Sequence, residues 1–88
     1  MEVQLFVRNL SRSTTREELG LLFGQAGEVV SVRLMSDLES GKSRGYAFIT
    51  MGAQSEADRA VSMFNSYSLD EHRLKVGLTQ PRQQRGLG

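Results

Sequence analysis

The chain has 88 residues, a net charge of +1 and no cysteine, which describes one domain with no disulfide framework and no Cys-ligated metal site. No run approaches the roughly 18 apolar residues of a membrane span, and no charged-then-apolar signal segment opens the chain, so a soluble, intracellular protein without a membrane partner is expected. With 11 Lys and Arg against 10 Asp and Glu, bulk composition carries no nucleic-acid signal, and any such signal has to come from where the charges sit.

"VQLFVRNL", from Val3, holds β-formers bounded by Asn9 and a polar run, and reads as a strand. Leu5 and Val7 share one face, and Phe6 and Arg8 the other. "STTREELGLLFGQAG" reads as a helix. Thr15 is its expected N-cap, with Glu18 three residues on to close a capping box. Leu19, Leu22, Phe23 and Ala26 then fall on one helical face, and Gly27 is expected to supply the left-handed stop. "EVVSVRLM" is a second strand in which Val30, Val32 and Leu34 alternate with Ser31, Arg33 and Met35. "SDLESGKS" is a polar loop with a turn at Gly41.

"RGYAFITM" is the third strand. Tyr46 and Phe48 share one face with Arg44, and Ala47, Ile49 and Met51 share the other. "SEADRAVSMFN" is a second helix with Ala57, Ala60, Val61 and Phe64 at helical spacing. Ser55 is its expected cap, and Ala53 occupies the alternative position. "HRLKVGL" is the fourth strand, with Leu74, Val76 and Leu78 on one face and Arg73, Lys75 and Gly77 on the other. "TQPRQQRGLG" has no periodicity and reads as a flexible tail. The expected organisation is one domain over residues 1–79 and a Gln/Arg/Gly tail over 80–88.

The order is βαββαβ. Each helix carries one apolar stripe, so both cover one face of a four-stranded sheet and leave the other open. A domain of this size buries only about 60–65% of its unfolded surface and has few apolar residues to spare outside its core. Yet the open face holds Phe6, Tyr46 and Phe48 among Arg8, Arg33, Arg44, Arg73 and Lys75, with Met35 beside them. The acids fall elsewhere, with Glu17 and Glu18 on the first helix, Glu56 and Asp58 on the second, and most others in connections. Exposed rings offer π-faces for stacking, and the cations around them meet phosphates. A single-stranded nucleic acid presents both partners at once, whereas a duplex hides its base faces.

These residues closely resemble the RNA recognition motif family. "RGYAFITM" matches the family's octamer signature at every position but the last, and "LFVRNL" matches its hexamer signature at the first strand. Both stand in the correct order, and the resemblance covers roughly residues 3–78. It implies an α+β, ferredoxin-like βαββαβ sandwich, with a four-stranded antiparallel sheet and two helices packed on one face. It implies stacking of one base on Phe6 and of a neighbouring base on Phe48, contact of Tyr46 with sugars, and pairing of Arg44 with a phosphate. Arg8, Arg33, Arg73, Lys75 and, in the tail, Arg82 complete the expected phosphate and polar contacts. The implied partner is single-stranded RNA, in post-transcriptional RNA handling, and the choice between RNA and single-stranded DNA stays open because it rests on the 2′-hydroxyl.

The chain departs from the family pattern at Met51, where the octamer usually ends in an aromatic, and at Ala26, where an aromatic often closes the first helix. Both face inward, so packing and not binding is affected, and Phe64 is placed to fill part of the space. The chain also resembles small single-domain bacterial and plastid members. A stand-alone bacterial protein would be cytoplasmic, with a nuclear or plastid location as the alternative, and a monomer is expected.

The same residues admit other readings. The aromatic face also suits a protein–protein interaction module with weak or no RNA binding. Arg33, Arg73 and Lys75 each also read as solvated strand cations, and Asn9 as a partner for backbone groups where the first strand ends. Acylphosphatases share the βαββαβ order, but the loop "RNLSRSTT" lacks the glycines of a phosphate cradle, and "GKSRGY" lacks the spacing of a P-loop. His72 stands alone without Cys or a second His. No enzyme, metal or cofactor is expected.

Overall fold

The structure, a computed structural model, describes residues 2–79; the expected tail at 80–88, with Arg82, lies outside the described residues. Strand β1 spans Val3–Arg8, helix α1 Arg16–Phe23, β2 Val29–Ser36, β3 Ser43–Met51 and α2 Gln54–Phe64. Two short strands, β4 (Ser68–Leu69) and β5 (His72–Arg73), precede β6 (Lys75–Thr79). The main sheet has four antiparallel strands in the order β2-β3-β1-β6, and β4 and β5 pair as a separate hairpin.

One face of the main sheet is core. Leu5, Val7, Ala47, Ile49, Met51 and Val76 join Leu19, Leu22 and Phe23 of α1 and Ala57, Ala60 and Phe64 of α2 in a single buried cluster. The strands at the centre alternate strictly, so the residues between these point to the other side. The two departures from the family pattern are accommodated here. Met51 and Ala26 are both fully buried, and the Phe64 ring packs 4.7 Å from that of Phe23.

The capping box at α1 forms as expected. Thr15 Oγ1 accepts from the Glu18 amide at 3.1 Å, and Glu18 Oε1 accepts from the Thr15 amide at 3.2 Å. The end of α1 differs from expectation. The helix stops at Phe23 with Gly24 as a right-handed cap at φ −62°, and tight turns through Gln25 and Ala26 follow. Gly27 has a φ of 159°, far from left-handed helical values. Its lack of a side chain serves a close approach instead, because a Cβ there would lie 2.5 Å from Glu56 Cγ and 2.6 Å from Glu56 Cβ.

Three further expectations change. Helix α2 begins one residue before Ser55, with Ala53 at the cap position and no side-chain capping bond. In β2 a register shift lies between Val29, opposite Met51, and Ser31, opposite Thr50. The extra residue is Val30, which is 44% exposed, while Val29 turns to the core with Val32 and Leu34. This is the behaviour of a β-bulge, which reverses alternation on one strand only. Finally, "HRLKVGL" is not one strand. His72 and Arg73 pair with Ser68 and Leu69, Leu74 is buried at the junction, and the main sheet resumes at Lys75. Leu78 is 39% exposed, so it contributes less to the core than its register suggests.

Candidate nucleic-acid interface

The register of the sheet places the open-face residues in rows. Arg33 on β2, Phe48 on β3, Phe6 on β1 and Gly77 on β6 lie directly opposite one another across all four strands. The next row holds Tyr46, Arg8 and Lys75. On the other side of the Phe row lie Ser31, Thr50, Gln4 and Thr79. Every member of these rows is exposed or half-buried, in contrast to the fully buried Leu5, Val7, Ala47 and Ile49 between them on the two central strands.

The three aromatic rings form one platform. Phe6 and Phe48 stack with centroids 5.0 Å apart and planes 20° from parallel. Tyr46 stands edge-on to both, 6.0 Å from Phe6 and 6.4 Å from Phe48. These are the offset and T-shaped arrangements that ring quadrupoles favour. The Arg8 guanidinium carbon lies 5.8 Å from the Phe6 centroid, within cation–π range. Gly77 leaves open space where a Cβ would project. A shallow hollow therefore runs over the β6 side of Phe6, bounded by Arg8, Lys75, Asn65 and Ser66.

The charges on this face are arranged at a cost. Arg8 is directly opposite Lys75, a like-charge pair that disfavours the sheet by up to about 1 kcal/mol. Arg33 is opposite Phe48 from the far side. The expected residues Phe6, Arg8, Arg33, Tyr46, Phe48 and Lys75 are thus brought together. Arg73 is not among them, because β5 lies outside the main sheet. Its carbonyl instead accepts from Asn9 Nδ2 at 2.8 Å, which bears out the backbone role expected of Asn9. Arg44 sits two residues before Tyr46 and past an irregularity marked by Gly45 at φ 97°. There it lines a hollow with Arg12 and Asp37 at the end of the sheet.

Sequence reading missed Gln4, Thr50 and Thr79 as members of the open face. Their position two residues from Phe6, Phe48 and Gly77 was the available signal. It also missed Asn65, whose Oδ1 accepts from the Val76 amide at 3.1 Å and ties the end of α2 to the edge strand.

A four-stranded antiparallel sheet with two helices on one face and an aromatic, cationic open face defines a ferredoxin-like α+β sandwich. The sequence profile of the RNA recognition motif matches residues 5–75, and the chain belongs to that family. It is 36% identical over its whole length to Glycine-rich RNA-binding protein 1 of Mycosarcoma maydis, covering 50% of that protein. It is 41% identical over 79 residues, 90% of the chain, to the chloroplastic RNA-binding protein CP33 of Arabidopsis thaliana, of which it covers 24%. The chain thus spans half or less of these relatives. Among solved structures, it superposes on the RNA binding protein PG1 with a TM-score of 0.84 and 31% identity, covering 91% of this chain and 96% of that one. It superposes on the Sxl-lethal protein in its RNA complex with a TM-score of 0.85 and 31% identity, covering 96% of this chain and 50% of that one.

Proposed function

We propose that the open sheet binds single-stranded RNA, by stacking two or three bases on Phe6, Phe48 and Tyr46 and by placing Arg8, Arg33, Lys75 and Arg44 against the phosphates. The observation that carries this is the row Arg33–Phe48–Phe6–Gly77, which sets two stacked rings between a cation and an open slot. Stacking of a base on an aromatic ring is worth about 1–3 kcal/mol and tolerates any base. The opposed Arg8 and Lys75 supply the second support, since a phosphate between them relieves their repulsion. Membership of the RNA recognition motif family and likeness to proteins named for RNA binding support the same reading.

On this reading the chain acts as a monomeric binder in RNA handling and carries out no catalysis. Arg73, off the sheet, is an outlying contact on this reading, and Arg82, outside the described residues, adds a further cation for a phosphate. The chloroplastic relatives support the plastid alternative for its location. Among the described residues, no helix is long and apolar enough to cross a membrane.

The test is a titration of matched single-stranded RNA and DNA oligomers against the wild type and Phe6→Ala. The RNA should bind the wild type, and the substitution should weaken it by about tenfold. Tighter binding of RNA than of the matched DNA would show that the 2′-hydroxyl is read. Equal affinity of the two proteins for RNA would contradict stacking on Phe6. Binding of a protein partner at this face with no RNA binding would instead establish an interaction module.

A further inference from the structure

The β4–β5 hairpin lies outside the main sheet, and the sheet reading uses only Arg73 from it. The hairpin sets Ser68 opposite Arg73 and Leu69 opposite His72. The Leu74 amide donates to the Tyr67 carbonyl at 2.9 Å, so the backbone bonds fall on Tyr67–Leu74 and, by alternation, on Leu69–His72. Ser68 and Arg73 are the pair between them, where antiparallel strands bring Cα atoms closest, to about 4.5 Å. Leu69 and Leu74 turn to the core, so Ser68 and Arg73 project away from it, and both are exposed.

We propose that Ser68 is a phosphorylation site, at which the phosphate pairs with Arg73 across the hairpin and lowers the affinity for RNA. The effect on RNA rests on the sheet reading, whereas the modification and its pairing with Arg73 do not.

Three features support it. First, the product has a partner in place. A phosphoserine carries a charge of about −1.5 to −2 and three acceptor oxygens, and the guanidinium fork donates to two such oxygens at once. The backbone of Arg73 is fixed, because its carbonyl accepts from Asn9 Nδ2 at 2.8 Å. Lys75 lies two residues on, about 7 Å along an extended chain, and faces Arg8. That is within the screening length of about 8 Å at physiological salt. The phosphate therefore takes up Arg73 and weakens the pull of Lys75 and Arg8 on an RNA backbone.

Second, the sequence around Ser68 carries a charge pattern. Asp70 and Glu71 follow it by two and three residues, and both are exposed. Kinases select substrates by such patterns, and acids after the serine suit an enzyme with a basic cleft. Ser36 and Ser55 also precede acids. Ser36, however, is opposite Ser43, and Arg59, one turn on from Ser55, donates to the Ala26 carbonyl at 3.4 Å. Of the three serines, Ser68 is the one set directly opposite a cation.

Third, the segment opens without disturbing the sheet. Phosphoryl transfer needs the hydroxyl in line with the γ-phosphate, so the chain around Ser68 has to enter the kinase cleft. Each strand of the hairpin has two residues. Its turn holds Asp70 and Glu71 at φ values of 52° and 66°, a left-handed conformation that is strained without glycine. Opening relieves that strain, and at the turn it breaks one side-chain bond, from the Thr14 hydroxyl to Asp70 Oδ2 at 2.9 Å. In the transfer, Ser68 Oγ forms a bond to the γ-phosphorus of ATP as the bond to the β,γ-bridging oxygen breaks. ADP leaves, and the hydroxyl proton passes to the catalytic carboxylate of the kinase.

The experiment incubates the full chain with ATP and a purified serine kinase that prefers acids after the serine. Mass spectrometry should place a phosphate on Ser68. Ser68→Ala should lack it and should bind a short single-stranded RNA as the wild type does. The singly phosphorylated protein, once purified, should bind that RNA about fivefold or more weakly. Its plot of log K against log salt should be flatter by about 0.7, for the one contact withdrawn. Phosphorus NMR reads the pairing directly. The second ionisation of phosphoserine, ordinarily near about 6, should be shifted down by the facing guanidinium, and Arg73→Gln should return it toward that value. Phosphate only on other residues would overturn the site. An ionisation that Arg73→Gln leaves unmoved would overturn the pairing. Unchanged RNA affinity after phosphorylation of Ser68 would overturn the regulation while leaving the sheet reading intact. An unmodified protein that binds no RNA would overturn the sheet reading and the regulation with it.

Discussion

Arg8 and Lys75 face each other directly across β1 and β6, two cations on the open side of a sheet whose acids lie elsewhere. A like-charge pair in this position stands against the stability of the strands that carry it. Replacing Lys75 with Gln should therefore stabilise the free protein by a few tenths of a kcal/mol. The same change should weaken RNA and flatten the salt dependence by about 0.7 in slope. Urea denaturation and a salt series on one pair of proteins measure both effects. A variant that loses stability, or that binds RNA with an unchanged slope, would show that the two cations are bystanders.

Phe48 is stacked on Phe6 and half-buried, so its loss should be felt twice. Phe48→Ala should weaken RNA by about 1–3 kcal/mol and lower stability by about 0.5–1.5 kcal/mol through the missing ring pair. The fold should survive, because the ring lies on the face away from the buried cluster. The circular dichroism of the variant and its RNA affinity separate the two effects. A collapsed fold would contradict the placement of Phe48 on the open face.

Gly27 tests the packing between α2 and the turn that follows α1. A Cβ there would meet Glu56 Cβ and Cγ at 2.6 and 2.5 Å, so Gly27→Ala should destabilise by about 1–3 kcal/mol. Combining it with Glu56→Ala should recover only part of this, since Glu56 Cβ remains. A thermal melt of the single variant that matches the wild type would show that the contact relaxes freely.

The carboxyl of Asp37 is held below its ordinary pKa of 3.8, first by the backbone amide of Glu39, then by that of Ser40, with the Arg44 and Arg12 charges adding to them. A lowered pKa in the folded state means that the ionised carboxylate favours folding. Its contribution is fully present above about 3.8 and is lost as pH falls through the lower folded value. The Glu39 and Ser40 amide resonances should therefore titrate with a midpoint below 3.8. Asp37→Asn should abolish that transition. A midpoint above 3.8 would contradict the hydrogen bonds at the hairpin.

Much of this site was legible in the sequence because β1 and β3 are central strands with a buried face, and there period-two alternation is enforced by the core. Phe6, Tyr46 and Phe48 follow directly from it, while the capping box of Thr15 and Glu18 follows from their three-residue spacing before an apolar helical run. The edges were less legible. Val30 was misplaced because a bulge on an edge strand leaves no mark in a run of β-branched residues. Arg73 was misplaced because the positive φ values of Asp70 and Glu71 build a hairpin from residues that carry no glycine signal. The Gly27 reading failed because the glycine answers to Glu56, 29 positions away in the chain, and not to its own helix.

The central claim is that RNA lies on the sheet face opposite the helices. An amide and side-chain NMR titration with a randomised pool of short single-stranded RNA tests it most directly. The largest shifts should fall on Phe6, Arg8, Arg33, Tyr46, Phe48, Lys75 and Gly77, with Leu21 and Met63 on the exposed sides of α1 and α2 unmoved. Shifts confined to the helices, or a spectrum unchanged by RNA, would contradict the account.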